Sequence, residues 1–326
     1  MQVYPVFLPL KGCPFRCIYC DQYLITASDH FDLDIHLADI ANFCKKYSSE
    51  AKEIAFFGGT FTALDKDWQE EQFRKLSPFI NKNTGIRYST RPDCLSQADL
   101  DLARQYGVTT IELGIQDFSD LVLKQSRRGY NQARAISACQ LVKTNKFKLG
   151  IQLMPGLPAF SQTSLEENKQ IVRNLKPEYL RIYPTVVLRG TKLEELYRQG
   201  KYSPLDLEEA INICVDLYED FTSKAIRVIK MGVQIDSIDA SAIVAGPYHK
   251  AFGELVQSHL LANKVINAIK NSPQLDQLIL AKKDISKFTG HAFYGLKILE
   301  NYFPNNIFKL SIDIDTKSFI IRIKTK

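Results

Sequence analysis

The chain has 326 residues, 45% of them hydrophobic, and carries 42 Lys and Arg against 36 Asp and Glu for a formal net charge of +6. This length buries a substantial core, as one large α/β domain or a domain with a smaller partner, and the composition excludes a disordered or fibrous chain. No stretch reaches the roughly eighteen uninterrupted apolar residues that span a bilayer, and the modest positive balance permits nucleic-acid binding without demanding it.

In chain order, the first ten residues are apolar but lack a basic leader and a small-residue cleavage site. They are expected to form a buried strand, Val3 to Leu8, running into a loop that reads Cys13-Pro14-Phe15-Arg16-Cys17-Ile18-Tyr19-Cys20. A cubane iron–sulfur cluster ordinarily takes four cysteine ligands, so three leave one iron open to a substrate or cofactor. The same three cysteines with His30 also suit a structural zinc site. Of the other cysteines, Cys44, Cys139 and Cys214 fall on apolar helical stripes and Cys94 follows a strand, so all four are expected as packed thiols. Nothing indicates a disulfide framework, and the chain reads as cytosolic.

Short apolar runs then alternate with helical patterns through the first two-thirds. After Val3 to Leu8, strands are expected at Glu53 to Phe57, Ile86 to Thr90, Thr110 to Ile115, Lys148 to Met154 and Tyr179 to Tyr183. Leu33, Leu37, Ile40, Cys44 and Tyr47 recur at helical spacing between the first two. Six βα units imply an α/β fold, a partial (βα)6 TIM-like barrel, whose strand-end loops share one rim. Both the cysteine loop and Gly58-Gly59-Thr60-Phe61 follow strands and so meet on that rim. From about Ser203 helical stripes take over, a short strand is expected at Ile226 to Val233, and Phe308 to Ile314 and Phe319 to Ile323 alternate as a terminal hairpin about a turn at Asp315 to Lys317. The expected division is a barrel core at 1–202 and a smaller α+β extension at 203–326.

The spacing Cys-x3-Cys-x2-Cys, with an aromatic residue before the last cysteine, resembles the radical S-adenosylmethionine (SAM) superfamily. Within it, five segments are similar to the elongator catalytic subunit and oxygen-independent coproporphyrinogen III oxidase branch: Ser89 to Asp93, Glu112 to Asp117, Ser126 to Tyr130, Gln152 to Pro158 and Arg181 to Thr185. The last continues into Val187-Leu188-Arg189-Gly190-Thr191, which resembles the elongator subunit in particular. The resemblance covers roughly residues 1 to 200 and, more loosely, Gly246 to Val256.

The resemblance implies a 4Fe–4S cluster on Cys13, Cys17 and Cys20, whose open iron chelates SAM and whose electron breaks a SAM carbon–sulfur bond to yield a 5′-deoxyadenosyl radical. It implies that Tyr19 lies against the adenine, that Gly58, Gly59 and Thr60 engage the amino group of SAM, and that Gln116, Arg128 and Gln152 contact its ribose and carboxylate. Ser89 stands where the branch often has a glutamate, so a carboxylate contact there is missing or moved. Gln152 replaces an acidic residue of the porphyrin enzymes, and the cysteine spacing is more compact than the elongator subunit's. With about 125 residues beyond the core match, no acetyltransferase domain is expected.

RNA, with tRNA first, is the substrate class the resemblance implies, with a reductant such as flavodoxin or ferredoxin. A porphyrinogen-type oxidase and a non-catalytic RNA-binding adaptor with a structural metal stand as alternatives. For the adaptor, Lys309, Lys317, Arg322, Lys324 and Lys326 are the candidate phosphate contacts. His249 in Gly-Pro-Tyr-His is expected as a satisfied helix-start histidine. No substrate-specific catalytic residue and no oligomeric state is assigned.

Overall fold

The computed structural model describes residues 1–8, 13, 17–20, 31–233, 240–271, 277–280, 282–312 and 319–325. Pro14 to Arg16 of the cysteine loop, His30, the hairpin turn and Lys326 lie outside them. No described helix is long and apolar enough to cross a membrane.

Contacts divide the chain into two compact units, one of residues 1–206 with 220–248 and one of 207–219 with 249–326. The first is built on the strands β1 (Gln2–Phe7), β2 (Lys52–Phe57), β3 (Thr84–Thr90), β4 (Val108–Gln116), β5 (Lys148–Leu153) and β6 (Tyr179–Ile182). All pair in parallel in chain order, the topology that βα crossovers enforce. The six expected strands thus form within about two residues of their expected bounds. After the short β7 (Val187–Leu188), the strand β8 (Arg227–Met231) joins in parallel beside β6. The sheet therefore has seven strands rather than six, because the chain returns to it through a helix over Leu207–Ser223 and a turn with Ala225 in left-handed conformation. β9 (Ile243–Ala245) pairs antiparallel with β7.

The helices of this unit are α1 (Leu37–Lys46), α2 (Lys66–Leu76), α3 (Gln97–Gln105), α4 (Asp120–Gln125), α5 (Gln132–Thr144), α6 (Gln162–Leu175) and α7 (Lys192–Arg198). Their starts are sequence-encoded, since Asp65, Ser96, Asn131, Ser161 and Thr191 each accept a backbone hydrogen bond at the N-cap of α2, α3, α5, α6 and α7. One face of the sheet packs an apolar layer. Phe61 stacks on Tyr88 at 4.8 Å and 14° and lies 5.1 Å from Phe73 of α2.

Alternate residues of the same strands build a charged wall instead. Arg87 Nε donates to Glu53 at 2.7 Å, and Glu53 also accepts from Thr109 at 2.8 Å. Glu112 accepts from the Tyr179 hydroxyl at 2.8 Å and lies 3.1 Å from Arg181 Nε. A side chain at Gly150 would place its Cβ 2.6 Å from the Tyr179 ring, so glycine there is what lets Tyr179 reach Glu112.

The second unit takes its first residues from α8 (Leu207–Ser223), followed by α9 (Phe252–Asn271), α10 (Lys282–Thr289) and α11 (Tyr294–Tyr302). The expected hairpin is present as β11 (Asn306–Ile312) and β12 (Phe319–Thr325). An additional strand, β10 (Gln277–Leu280), pairs antiparallel with β12 and gives the sheet order β10-β12-β11. Ala262, Val265, Ile266, Ile269, Phe288, Leu299 and Phe308 form its core.

Candidate active site

Of the residues singled out in the sequence, Cys13, Cys17, Tyr19, Cys20, Gly58, Gly59, Thr60, Gln116, Arg128 and Gln152 lie beyond or near the carboxyl ends of β1, β2, β4 and β5. The turn at Cys17 to Cys20 is tied down by its own backbone: Ile18 N donates to Ser126 O at 3.4 Å, and Leu193 N donates to Ile18 O at 2.8 Å. Cys17, Ile18 and Tyr19 are buried together with Val122, Leu157, Val187 and Leu193, and Cys20 packs against them.

Arg128 lies at the centre, buried at 4% exposure. Its Nη1 donates to Cys17 Sγ at 3.1 Å and to the Tyr19 hydroxyl at 3.0 Å, its Nε to the Tyr130 hydroxyl at 3.0 Å, and its Nη2 to Gly114 O. A second guanidinium, that of Arg91, donates from Nη1 to Cys17 Sγ at 3.4 Å. Two parallel 2.9 Å bonds to Asp93 and a bond to Arg128 O hold it there. Burial would push the Cys17 thiol up, but Arg128 and then Arg91 beside it hold the thiol below its ordinary value. Burial raises Cys13, whose Sγ lies 3.1 Å from Thr60 Oγ1.

Gly58 and Gly59 leave β2 with φ of 85° and 40°. A Cβ on Gly58 would stand 2.3 Å from Leu8 O, so glycine is what lets the two strand ends approach each other. Gln116 ends β4 at φ 72° and accepts from Gln152 Nε2 at 3.2 Å. The shift in β4–β5 register between Gly114 and Gln116 brings this amide to the rim beside the Arg128 contact on Gly114.

Ser89 is apart from that group, on the charged wall, where its Oγ donates to Glu112 at 3.3 Å. Glu112, its register partner on β4, is the neighbouring carboxylate. Arg91, Tyr130 and Glu112 had no role assigned from sequence. A signal for Arg91 and Glu112 existed in the charges placed within or just beyond otherwise apolar strands, which need partners when buried.

Asp117, next to Gln116, accepts from Asn168 Nδ2 at 2.9 Å and from the Ser119 amide at 2.7 Å. Burial nevertheless raises its carboxyl to about 7. The unfolded chain loses this proton near pH 4, whereas the folded chain keeps it to about pH 7, so stability is expected to fall as pH rises through that window. Asp117→Asn should flatten this segment of the profile, read as urea unfolding midpoints at about pH 5 and about pH 8. An unchanged slope would show that Asp117 is ionised in the fold.

Among the described residues, no group of three Cys, His, Asp or Glu is arranged to hold a metal ion. The donor chemistry nonetheless fits an iron–sulfur cluster: Cys13 and Cys17 are near enough to interact electrostatically, and Cys17 is shifted below its ordinary value, toward the form that metals take. His249 belongs to the second unit, with Nδ1 accepting from Ala251 N at 3.0 Å at the start of α9 and its ring 4.8 Å from that of His291. Lys317 and Lys326 of the basic tail lie outside the described residues, and Lys309 and Arg322 are register partners in the hairpin.

The chain is 29% identical over 233 residues to the tRNA uridine(34) acetyltransferase of Methanocaldococcus jannaschii, covering 64% of this chain and 42% of that protein. It is 30% identical over 190 residues to human Elongator complex protein 3, covering 51% of this chain and 35% of that one. The matches thus span less than half the length of these relatives. Among solved structures, the archaeal Methanocaldococcus infernus Elp3 with an N-terminal deletion superposes with a TM-score of 0.65 at 22% identity, over 86% of this chain and 70% of that one. Coproporphyrinogen III oxidase (HemN) from Escherichia coli superposes at 0.54 and 15% identity, over 98% of this chain and 85% of that one. These two likenesses establish a shared fold. The Radical SAM C-terminal domain family matches residues 177–262. With the radical SAM superfamily itself matching residues 7–172, just over half of its length, the chain is an enzyme of that superfamily.

Proposed function

We propose that this rim binds a 4Fe–4S cluster through Cys13, Cys17 and Cys20 and SAM beside it, for the modification of RNA. The observation that carries the reading is the pair of guanidiniums, Arg128 and Arg91, both donating to the Cys17 thiol. A cluster and SAM bound there would supply one-electron reductive chemistry on a carbon–sulfur bond of SAM.

The chain's own residues divide the remaining work. Arg128 and Arg91 hold the Cys17 thiol below its ordinary value and offset negative charge at the rim. Arg128 is also the cation suited to the SAM carboxylate. Gly58, Gly59 and Thr60 bring backbone close to the amino group, the Gln116–Gln152 amide pair offers bonds to ribose hydroxyls, and Tyr19 gives the adenine an aromatic neighbour. Ser89 acts at one remove, through Glu112. The RNA part of the reading, tRNA first, draws on the relatives that carry tRNA or Elongator in their names. A flavodoxin or ferredoxin is the class of reductant such a centre takes.

The test is product release. Reconstituted, chemically reduced protein should yield methionine and 5′-deoxyadenosine from labelled SAM, faster when total tRNA is added. Release that ignores every RNA fraction would remove the RNA part; no release under any reducing condition would remove SAM cleavage.

A further inference from the structure

One strand beyond the Gln116–Gln152 pair, the charged wall offers donors that the cofactor reading does not use. Arg181 of β6 is the register partner of Gln152. Its Nη1 donates to the Tyr183 hydroxyl at 3.0 Å, and its guanidinium carbon lies 4.6 Å from the centre of the Phe57 ring. Its Nε is 3.1 Å from Glu112 Oε2 but is not aligned for a hydrogen bond. Among the described residues Nη2 makes no hydrogen bond, and the Tyr183 hydroxyl, which accepts from Arg181, finds no acceptor for its own proton.

Arg87, in the same network, shows why this matters. Its side chain is 1% exposed, pairs with Glu53 and lies 3.8 Å from Glu112, whereas that of Arg181 is 18% exposed. Arg87 is therefore a structural counter-ion, whereas part of the Arg181 side chain is open to solvent. Next to it, Phe57 lies 6.2 Å from Phe7, an aromatic residue that is 57% exposed. On the other side, Lys230 of β8 is the register partner of Arg181 and adds a cation to the row. The unused Nη2 of a fixed cation and the hydroxyl proton of Tyr183 beside it, walled by an aromatic ring, match the oxygens of an anion.

We propose that Arg181 and Tyr183, backed by Phe57, form a specificity-determining subsite for an anionic group of the substrate, a carboxylate or a phosphate. The assignment of the subsite to substrate rests on the reading of the adjoining rim as the SAM site.

The test is calorimetric titration of the full chain with inorganic phosphate, with malonate and, separately, with SAM. Saturable anion binding is expected, weakened about tenfold or more by Arg181→Gln and several-fold by Tyr183→Phe, while both variants keep wild-type SAM affinity. Tyr183→Phe removes only the hydroxyl and keeps the test valid should Arg181→Gln disturb the Glu112 pairing. Tighter phosphate binding marks a phosphorylated group, and tighter malonate binding a carboxylate. No saturable binding of either anion to the wild type, or equal binding by wild type and Tyr183→Phe, overturns the proposal. Anion binding with no SAM binding by the wild type would instead overturn the cofactor reading and leave the anion subsite standing.

Discussion

Arg128→Ala is expected to weaken SAM binding about tenfold or more, the effect of losing one charge-assisted hydrogen bond at about 1.5 kcal/mol or more. The guanidinium is buried, and its single Nη1 serves both Cys17 and Tyr19. Removing it leaves the Tyr19 hydroxyl without its donor and takes from Cys17 the larger of two nearby positive charges. Gly114 O keeps the Tyr130 hydroxyl at 3.1 Å, so the end of β4 should hold its place. Arg128→Lys should recover only part of the loss, because an ammonium keeps the charge but not the planar fork that reaches sulfur, hydroxyl and carbonyl together. Equilibrium SAM binding to reconstituted protein, with circular dichroism as the control for folding, reads both variants. Wild-type affinity in Arg128→Ala would make the residue a purely structural tie.

The largest effect on stability is expected at Arg87. Arg87→Met should lower the free energy of unfolding by about 3–5 kcal/mol, the usual cost of leaving one member of a buried ion pair uncompensated. Arg87 and Glu53 are 1% and 2% exposed, so solvent does little to screen the orphaned carboxylate. Thr109 and Thr110 still donate to Glu53, which keeps the loss from being larger. The double variant Arg87→Met with Glu53→Gln should regain most of it, since the Glu53 charge is then gone and Glu112 still has Arg181. Urea unfolding of the single and double variants measures both numbers. A single variant within about 1 kcal/mol of wild type would mean that water reaches this wall.

Much of this fold was legible because its parallel strands are covered on both faces. Runs such as Lys52–Phe57 and Val108–Gln116 are short and dense in apolar residues, and the caps at Ser96 and Asn131 mark where helices start. Arg227–Met231 was legible as a strand but not as a member of the sheet. Its two cations and exposed Ile229 suit an edge, and only the path of the chain through α8 decides which sheet it joins. Gln277–Leu280 was missed because four residues at an edge owe their conformation to pairing with β12.

At the site, Cys17, Tyr19 and Arg128 could be named from motifs, but no local pattern reports that side chains 111 residues apart share a hydrogen bond. The charged wall was more accessible than it was read to be. Glu53, Arg87, Glu112 and Arg181 are charges set in apolar strands, and buried charges of opposite sign imply one another.

Electron paramagnetic resonance of the anaerobically reconstituted, reduced protein, with and without SAM, tests the central claim most directly. A reduced four-iron signal that changes when SAM is added, and is lost in Cys17→Ala, is the predicted result. Stoichiometric zinc with no iron signal under any reducing condition would contradict it.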